Sequence, residues 1–282
     1  MSSDPSRKPD RDTKSVSESR EDIRDTDPVS RETDRDAQTA PEFSIVIPAY
    51  NEERRLPETL RRIRAYLDAK RVEAEVIVVD DGSTDRTAAI VMEARAGWPV
   101  LRLVTNDANR GKGYAVRHGV LEARGRMVLF TDADLSAPIE EADKLLAVLG
   151  SYEIAIGSRA VDRSLIEVHQ SRFREVAGII FNKMVRAVTG VAFEDTQCGF
   201  KAFLRAPTRI VFEQQRMSWF GFDPEILFLA KRHGLRVAEI PVRWAHNLES
   251  KVRMFSDSLR MFGEVLKIRW NWVLGRYPKF HG

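Results

Sequence analysis

The stretch Glu75-Val76-Ile77-Val78-Val79-Asp80-Asp81-Gly82-Ser83-Thr84-Asp85 reads as a buried strand that empties into an acidic turn and then a helix. An apolar run without alternation predicts a strand covered on both faces. The same phrase recurs on either side. Upstream, Phe43-Ser44-Ile45-Val46-Ile47 is apolar and Pro48 is expected to stop it; Leu56, Leu60, Ile63 and Leu67 then give Asn51 to Asp68 a helical spacing. Downstream, a helix is expected from Thr84 to Ala96, a strand from Val100 to Val104, a helix from Gly111 to Ala123 and a strand from Met127 to Phe130. A helix after Pro138 and a strand from Glu153 to Ile156 follow. Beyond Gly157 the regularity loosens, with long helices expected over Arg172 to Thr189 and Ser256 to Trp272 and a late strand over Leu235 to Ile240. Such alternation predicts an α/β fold, a mainly parallel sheet with helices on both faces, whose ligands bind beyond the carboxyl ends of the strands. No linker breaks the alternation, so Phe43 to Gly282 reads as one domain.

Three strands release polar clusters toward that rim: Pro48-Ala49-Tyr50-Asn51-Glu52, Asp80 to Asp85, and Asp132-Ala133-Asp134. Asp132 and Asp134 flank one small residue, so both carboxylates reach one point, which suits a hard divalent cation completed by phosphate and water. A solvated turn is the plainer reading of any D-x-D, but this one follows a buried strand. In Asp80-Asp81-Gly82-Ser83, a carboxylate can accept from a base N–H or a ribose hydroxyl, and Tyr50 can stack on a base. Equally, Ser83 or Thr84 can cap a helix whose positive end Asp85 favours. The glycine-rich loop Asn109-Arg110-Gly111-Lys112-Gly113 enters a helix with a cation and free amides that suit a phosphate. A Walker lysine signature and a G-x-G-x-x-G fingerprint are both missing, which counts against a P-loop ATPase or a Rossmann dehydrogenase.

The 282 residues carry 45 basic and 42 acidic side chains, a formal net charge of +3. That average conceals an asymmetry. Residues 1–42 hold eight basic and twelve acidic side chains and almost no large apolar ones, so an acidic, disordered tail is expected there. The remaining body is basic, at net +7. Cys198 is the one cysteine, which excludes an internal disulfide and a thiolate metal cluster. His169, His233 and His246 have no metal-ligand spacing. No uncharged apolar run approaches the ~18 residues of a membrane span, and the first residues do not read as a secretory signal.

Taken in order, Ile47-Pro48-Ala49-Tyr50-Asn51-Glu52, Val79 to Asp85, Asn109 to Gly113, Asp132-Ala133-Asp134 and Gly157-Ser158-Arg159 resemble the inverting family 2 glycosyltransferases of GT-A fold. Asp195-Thr196-Gln197-Cys198-Gly199-Phe200-Lys201, Phe222-Asp223-Pro224-Glu225-Ile226-Leu227 and Ser250-Lys251 narrow the likeness to the dolichyl-phosphate glucosyltransferase and dolichol-phosphate mannosyltransferase group. The glucosyl branch is the nearer. The resemblance covers nearly all of Phe43 to Trp272. It implies a nucleotide-diphospho-sugar transferase in which Pro48, Tyr50, Glu52, Asp80 and Asp81 hold the nucleoside and Lys112 approaches phosphate. Asp132 and Asp134 would hold Mg²⁺ or Mn²⁺, with Ala133 leaving room. Arg159 and Lys251 would contact donor or acceptor phosphate. The chain departs from the pattern at Glu249, where relatives commonly have glycine, and at Ala245, where the mannosyl group has an arginine that Arg243 would have to replace.

A sugar hydroxyl as acceptor needs a general base, for which Asp223 is the candidate, with Glu225 beside it; a helix N-cap is the other reading of Asp223. A lipid phosphate is already anionic and needs cations instead. The expected partners are a nucleotide-sugar donor, a polyprenyl or dolichyl phosphate, and an anionic membrane surface. The helical stretches with Ile179, Ile180 and Met184 and with Phe262, Leu266, Trp270 and Trp272 are basic and amphipathic, and residues 251–279 hold seven basic against two acidic side chains. They fit either a core or a membrane interface. The expected location is peripheral, on the cytoplasmic membrane face. Nucleic acid is disfavoured for want of a recognisable binding module. Mannosyl transfer from GDP-mannose, hexosyl transfer to a sugar hydroxyl, and a membrane-attached sugar-nucleotide-binding protein without turnover are the alternatives.

Overall fold

The computed structural model describes residues 41–168, 172–245 and 254–278, with side chains for 41–168, 176–245 and 260–278. The tail over 1–40, His169, His246, Glu249, Ser250 and Lys251 lie outside the described residues. In chain order the elements are β1 (Phe43–Ala49), α1 (Leu56–Lys70), β2 (Ala74–Asp80), α2 (Thr87–Arg95), β3 (Leu101–Thr105), α3 (Lys112–Glu122), β4 (Met127–Thr131), α4 (Ala142–Val148) and β5 (Ile154–Ser158). Then come β6 (Ile166–Val168), α5 (Arg172–Thr189), β7 (Phe200–Leu204), α6 (Arg205–Gln214), α7 (Phe222–Arg232), β8 (Val237–Pro241), β9 (Trp244–Ala245) and α8 (Met254–Val273).

Seven strands form the main sheet in the order β3-β2-β1-β4-β7-β5-β8, and β6 pairs with β9 apart from it. All main-sheet pairs are parallel except those of β7, which runs antiparallel between β4 and β5. The strand alternation sorts side chains onto two covered faces. Ile45, Ile47, Val76, Val78 and Leu129 pack with α1, α2 and α4, while Val46, Ile77, Val79, Val128 and Phe130 pack with α3, α6, α7 and α8. Burial on both sides explains why β1 and β2 read as unbroken apolar runs.

Some expected boundaries move, each for a local reason. Pro48 does not stop β1, which runs on to Ala49 with Pro48 opposite Val79. The β1–β4 pairing ends at Val46 and Phe130, so the missing N–H falls where β1 has one neighbour. Helix α1 starts at Leu56 rather than Asn51, because Asn51 adopts a left-handed φ of 54° and is spent on a loop contact: its N–H donates to Ser83 Oγ and its Oδ1 accepts from Thr84 N. Helix α2 starts at Thr87 rather than Thr84, with Asp85 Oδ1 accepting from Thr87 N at 2.9 Å. The sequence pattern does not predict strand β7, since Lys201 interrupts the apolar run of Phe200-Lys201-Ala202-Phe203-Leu204, nor helix α6 that follows it.

Candidate active site

Strands β1, β2 and β4 end on one rim, next to the point where the strand order reverses. Asp81, one residue past β2, is buried and gives its carboxylate to the basic loop: Asn106 Nδ2 donates at 2.7 Å, Arg110 N at 3.1 Å to each oxygen, and Gly111 N at 2.8 Å. Its oxygens thereby fix the path of the loop that carries Lys112. Asp80 accepts from Ser83 N at 3.2 Å and holds the adjoining turn. Tyr50 stands exposed at the end of β1, whereas Pro48 is buried in the strand. Glu52 is buried and forms a two-pronged pair with Arg55, with Arg55 Nε on Oε2 at 2.6 Å.

Beyond β4 the chain makes the Asp132-Ala133-Asp134 turn. Asp134 Oδ1 accepts from Ser136 N at 3.0 Å, and Ala133 O accepts from Thr59 Oγ1 at 2.6 Å, which ties the turn to α1. The Ala133 methyl packs into the core on the α1 side, so its small size serves that packing. Gly199 lies directly against the Asp132 carboxylate: a Cβ there would stand 2.0 Å from Oδ2, so any larger residue would force that carboxylate to move. Both carboxylates face cations. Lys112 Nζ sits 2.6 Å from Asp132 Oδ1, and Arg55 Nη1 sits 3.6 Å from Asp134 Oδ2. Burial works to lower the Lys112 pKa, but the charges of Asp132, Asp223 and Asp134 outweigh it and raise it, so the ammonium stays charged.

Behind Lys112 lies a fully buried ion pair. Lys201, with 0% exposure, donates to Asp223 Oδ1 and to the Cys198 carbonyl, each at 2.5 Å. Burial raises the Asp223 pKa against the opposing pull of Lys201 and Lys112. Asp223 is not the helix N-cap: that position belongs to Gly221, and Asp223 lies in the first turn of α7. Glu225, on the same helix, turns away from the rim and accepts from Arg216 N, Met217 N and the Tyr277 hydroxyl, which removes it as a partner base.

Arg159, just past β5, is held by Asp195 through Nε at 2.6 Å, Nη2 at 2.8 Å and its own backbone N–H at 3.0 Å, and it lies over the Trp244 ring. Burial works to raise the Asp195 pKa, but the Arg159 charge and hydrogen bonds prevail and hold it down at about 2. Arg243 pairs with buried Glu141 at 2.6 Å, which commits it to β9's flank. Cys198 is buried and its thiol is pushed up to about 12, chiefly by burial. His233 ends α7 and contacts Gln214.

Among the described residues no group of three or more His, Cys, Asp or Glu side chains forms a metal cage. Asp132 and Asp134 supply hard oxygens and leave the remaining positions to phosphate and water, a donor set that fits Mg²⁺ or Mn²⁺. The sequence motif contains Lys201, Asp195 and Gly199 without marking what each does, and it leaves Arg55 out. A lysine inside an otherwise apolar strand was the signal for the first.

Residues 44–209 match the family described as Glycosyl transferase family 2. The chain is 35% identical over 237 residues to a dolichyl-phosphate beta-glucosyltransferase of Trichomonas vaginalis, covering 80% of this chain and 72% of the relative. It is 36% identical over 250 residues to the Drosophila melanogaster dolichyl-phosphate beta-glucosyltransferase, covering 84% and 77%. Among solved structures it is similar to glucosyl-3-phosphoglycerate synthase from Mycobacterium tuberculosis in complex with Mn²⁺, UDP-glucose and phosphoglyceric acid. That match has a TM-score of 0.61 at 18% identity and covers 85% of this chain and 83% of the other. The fold is thus of the GT-A type.

Proposed function

The chain belongs to glycosyltransferase family 2, and from that premise we propose that it transfers glucose from UDP-glucose to a polyprenyl phosphate of the dolichyl type, with inversion at the anomeric carbon. The names of its relatives support the sugar and the acceptor class. The observation that carries the phosphate acceptor is the state of Asp223: it is 3% exposed and tied to buried Lys201. A hydroxyl acceptor would need a base free to take its proton. An anionic phosphate needs none. One of its oxygens forms the new bond to C1 while the bond from C1 to the donor diphosphate breaks, and the electron pair leaves with the diphosphate.

Asp132 and Asp134 would hold Mg²⁺ or Mn²⁺, which when bound neutralises the diphosphate leaving group. Lys112 adds a positive charge beside that leaving group, and α3 presents its positive end there. Exposed Tyr50 offers a ring to the base. Arg159, oriented by Asp195, brings a second cation within electrostatic reach of Asp132.

The helix pair α5 and α8 supports a membrane-borne acceptor. Ile180, Trp270 and Val273 are 63%, 61% and 67% exposed, and Lys183, Lys267 and Arg269 are exposed among them. Trp272 instead packs inward on Phe228. No helix of the described residues is long and apolar enough to cross a membrane. This face therefore suits peripheral attachment to an anionic surface, on the cytoplasmic side where a nucleotide sugar is supplied.

Incubation of the protein with labelled UDP-glucose, Mn²⁺ and a polyprenyl phosphate tests the reading. Label is expected in the organic phase. Label from GDP-mannose alone would replace the donor, and no organic-phase product with either donor would defeat the lipid-phosphate reading.

A further inference from the structure

Both carboxylates that would take the divalent ion already have a cation of the chain beside them. Lys112 Nζ is 2.6 Å from Asp132 Oδ1, and Arg55 Nη1 is 3.6 Å from Asp134 Oδ2. Arg55 is also committed to Glu52 by two hydrogen bonds, so it is anchored on the side away from the turn. Lys112 has no second hydrogen-bonded carboxylate of that kind among the contacts described: Asp223 acts on it through charge, while Asp223 Oδ1 itself is occupied by Lys201. A bare divalent cation entering beside Asp132 would meet a charged ammonium at contact distance in a partly desolvated site, where repulsion is strong.

We propose that Lys112 is an exchange cation: it closes Asp132 while the donor is absent and passes to the donor diphosphate as Asp132 takes the metal, so that metal and nucleotide bind as a coupled pair. This rests on the nucleotide-sugar donor reading.

The backbone around Lys112 confines the exchange to its side chain. Gly111 N donates to Asp81 at 2.8 Å, Tyr114 N donates to Ser218 O at 3.0 Å, and Gly113 O accepts from Gln215 Nε2 at 2.8 Å. Gly111 has φ +102°, and a Cβ there would stand 2.4 Å from Ser218 O; one on Gly113 would stand 2.7 Å from Met217 O. The loop is thus clamped on both sides of a residue whose flexible four-carbon stem swings a compact charge. Asp223 Oδ1 is held by Lys201 at 2.5 Å, so the partner that Lys112 gives up is Asp132. Diphosphate oxygens at the α3 N-terminus supply the new anion, with the helix dipole favouring the same position.

Calorimetric titration of the full chain with Mn²⁺, alone and with saturating UDP, tests this with wild type and Lys112→Met. Wild type is expected to bind Mn²⁺ weakly alone and at least tenfold more tightly with UDP. Lys112→Met is expected to bind bare Mn²⁺ at least tenfold more tightly than wild type and to lose most of the gain from UDP. Lys112→Gln serves as the neutral variant if circular dichroism shows the Met form unfolded. An unchanged or weaker bare-Mn²⁺ affinity in the folded variant, with the gain from UDP intact, overturns the exchange while leaving the donor reading standing. Failure of wild type to bind Mn²⁺ even with UDP overturns the donor reading and the exchange together.

Discussion

The rim at the carboxyl ends of β1, β2 and β4 and the outer face of the α5–α8 pair are both rich in charge, but they spend it differently. At the rim the carboxylates meet cations of the same chain: Asp132 meets Lys112, Asp134 meets Arg55, Asp195 meets Arg159 and Asp223 meets Lys201. On the helical face Lys183, Lys267 and Arg269 stand exposed beside Ile180, Leu266, Trp270 and Val273. Internally balanced charge suits a ligand that trades partners with the protein, because each protein group the ligand takes over is already partly desolvated. Exposed cations beside exposed apolar groups suit a partner outside the chain that offers anions and hydrocarbon together.

The largest effect is expected from breaking the rim. Asp134→Ala removes one of the two oxygen donors proposed for the metal, and glucosyl transfer is expected to fall by two orders of magnitude or more, as for other losses of charge stabilisation at a leaving group. The fold should survive, since the side chain's backbone partner is Ser136 N and one such bond is worth about 1 kcal/mol. Transfer measured beside a thermal melt separates the two, and undiminished transfer would remove Asp134 from the site. A smaller effect is expected on the other face. Ile180→Asp combined with Val273→Asp places two like charges among the exposed apolar groups, and sedimentation with anionic liposomes should drop about tenfold, a loss of ~1.4 kcal/mol. Wild-type sedimentation should weaken in high salt, and UDP binding should be unchanged in the double variant. Equal sedimentation of variant and wild type would sever this face from the membrane.

Legibility in the sequence follows the same division. Strands β1, β2 and β4 and the Asp132-Ala133-Asp134 turn are readable because one continuous segment carries each signal: an apolar run and then a polar release. Helix α5 is foreseen to the residue, because its apolar period is uninterrupted. What escapes is what depends on distant partners. Strand β7 hides behind Lys201, whose charge is admissible in a core only because Asp223, on another element, receives it. The roles of Asp81 and Glu225 likewise come from distant partners that residue letters do not mark, the Arg110 and Gly111 N–H groups for the first and the Tyr277 hydroxyl for the second. On α8, spacing alone groups Trp270 with Trp272, yet the first is exposed and the second meets Phe228.

The smallest functional effect is expected at Glu225, which sharpens the comparison by showing a buried carboxylate without a cation. Asp195 and Glu225 are both buried, at 6% and 0% exposure. Asp195 has Arg159 and lies at about 2. Glu225 has hydrogen bonds from Tyr277, Met217 and Arg216 but no side-chain cation among the described residues, and burial pushes it up to about 7. Unfolded, a glutamate titrates near ~4.3, so between that value and 7 the native state holds the extra proton. Its contribution to stability is therefore fully present below about 4.3 and is lost as pH rises through 7. Glu225→Gln is uncharged throughout. Its amide oxygen can accept from Met217 N and Arg216 N, and its NH₂ can donate to the Tyr277 oxygen, so a modest loss of ~1 kcal/mol is expected at pH 5. Urea unfolding from pH 5 to pH 8 should show a shallower fall for the variant than for wild type, with the two lines crossing at about pH 6 and the variant the more stable above it, while transfer activity is retained. Parallel lines would mean that Glu225 keeps its charge without a cation, and the pairing that sets the rim carboxylates apart would lose its energetic meaning.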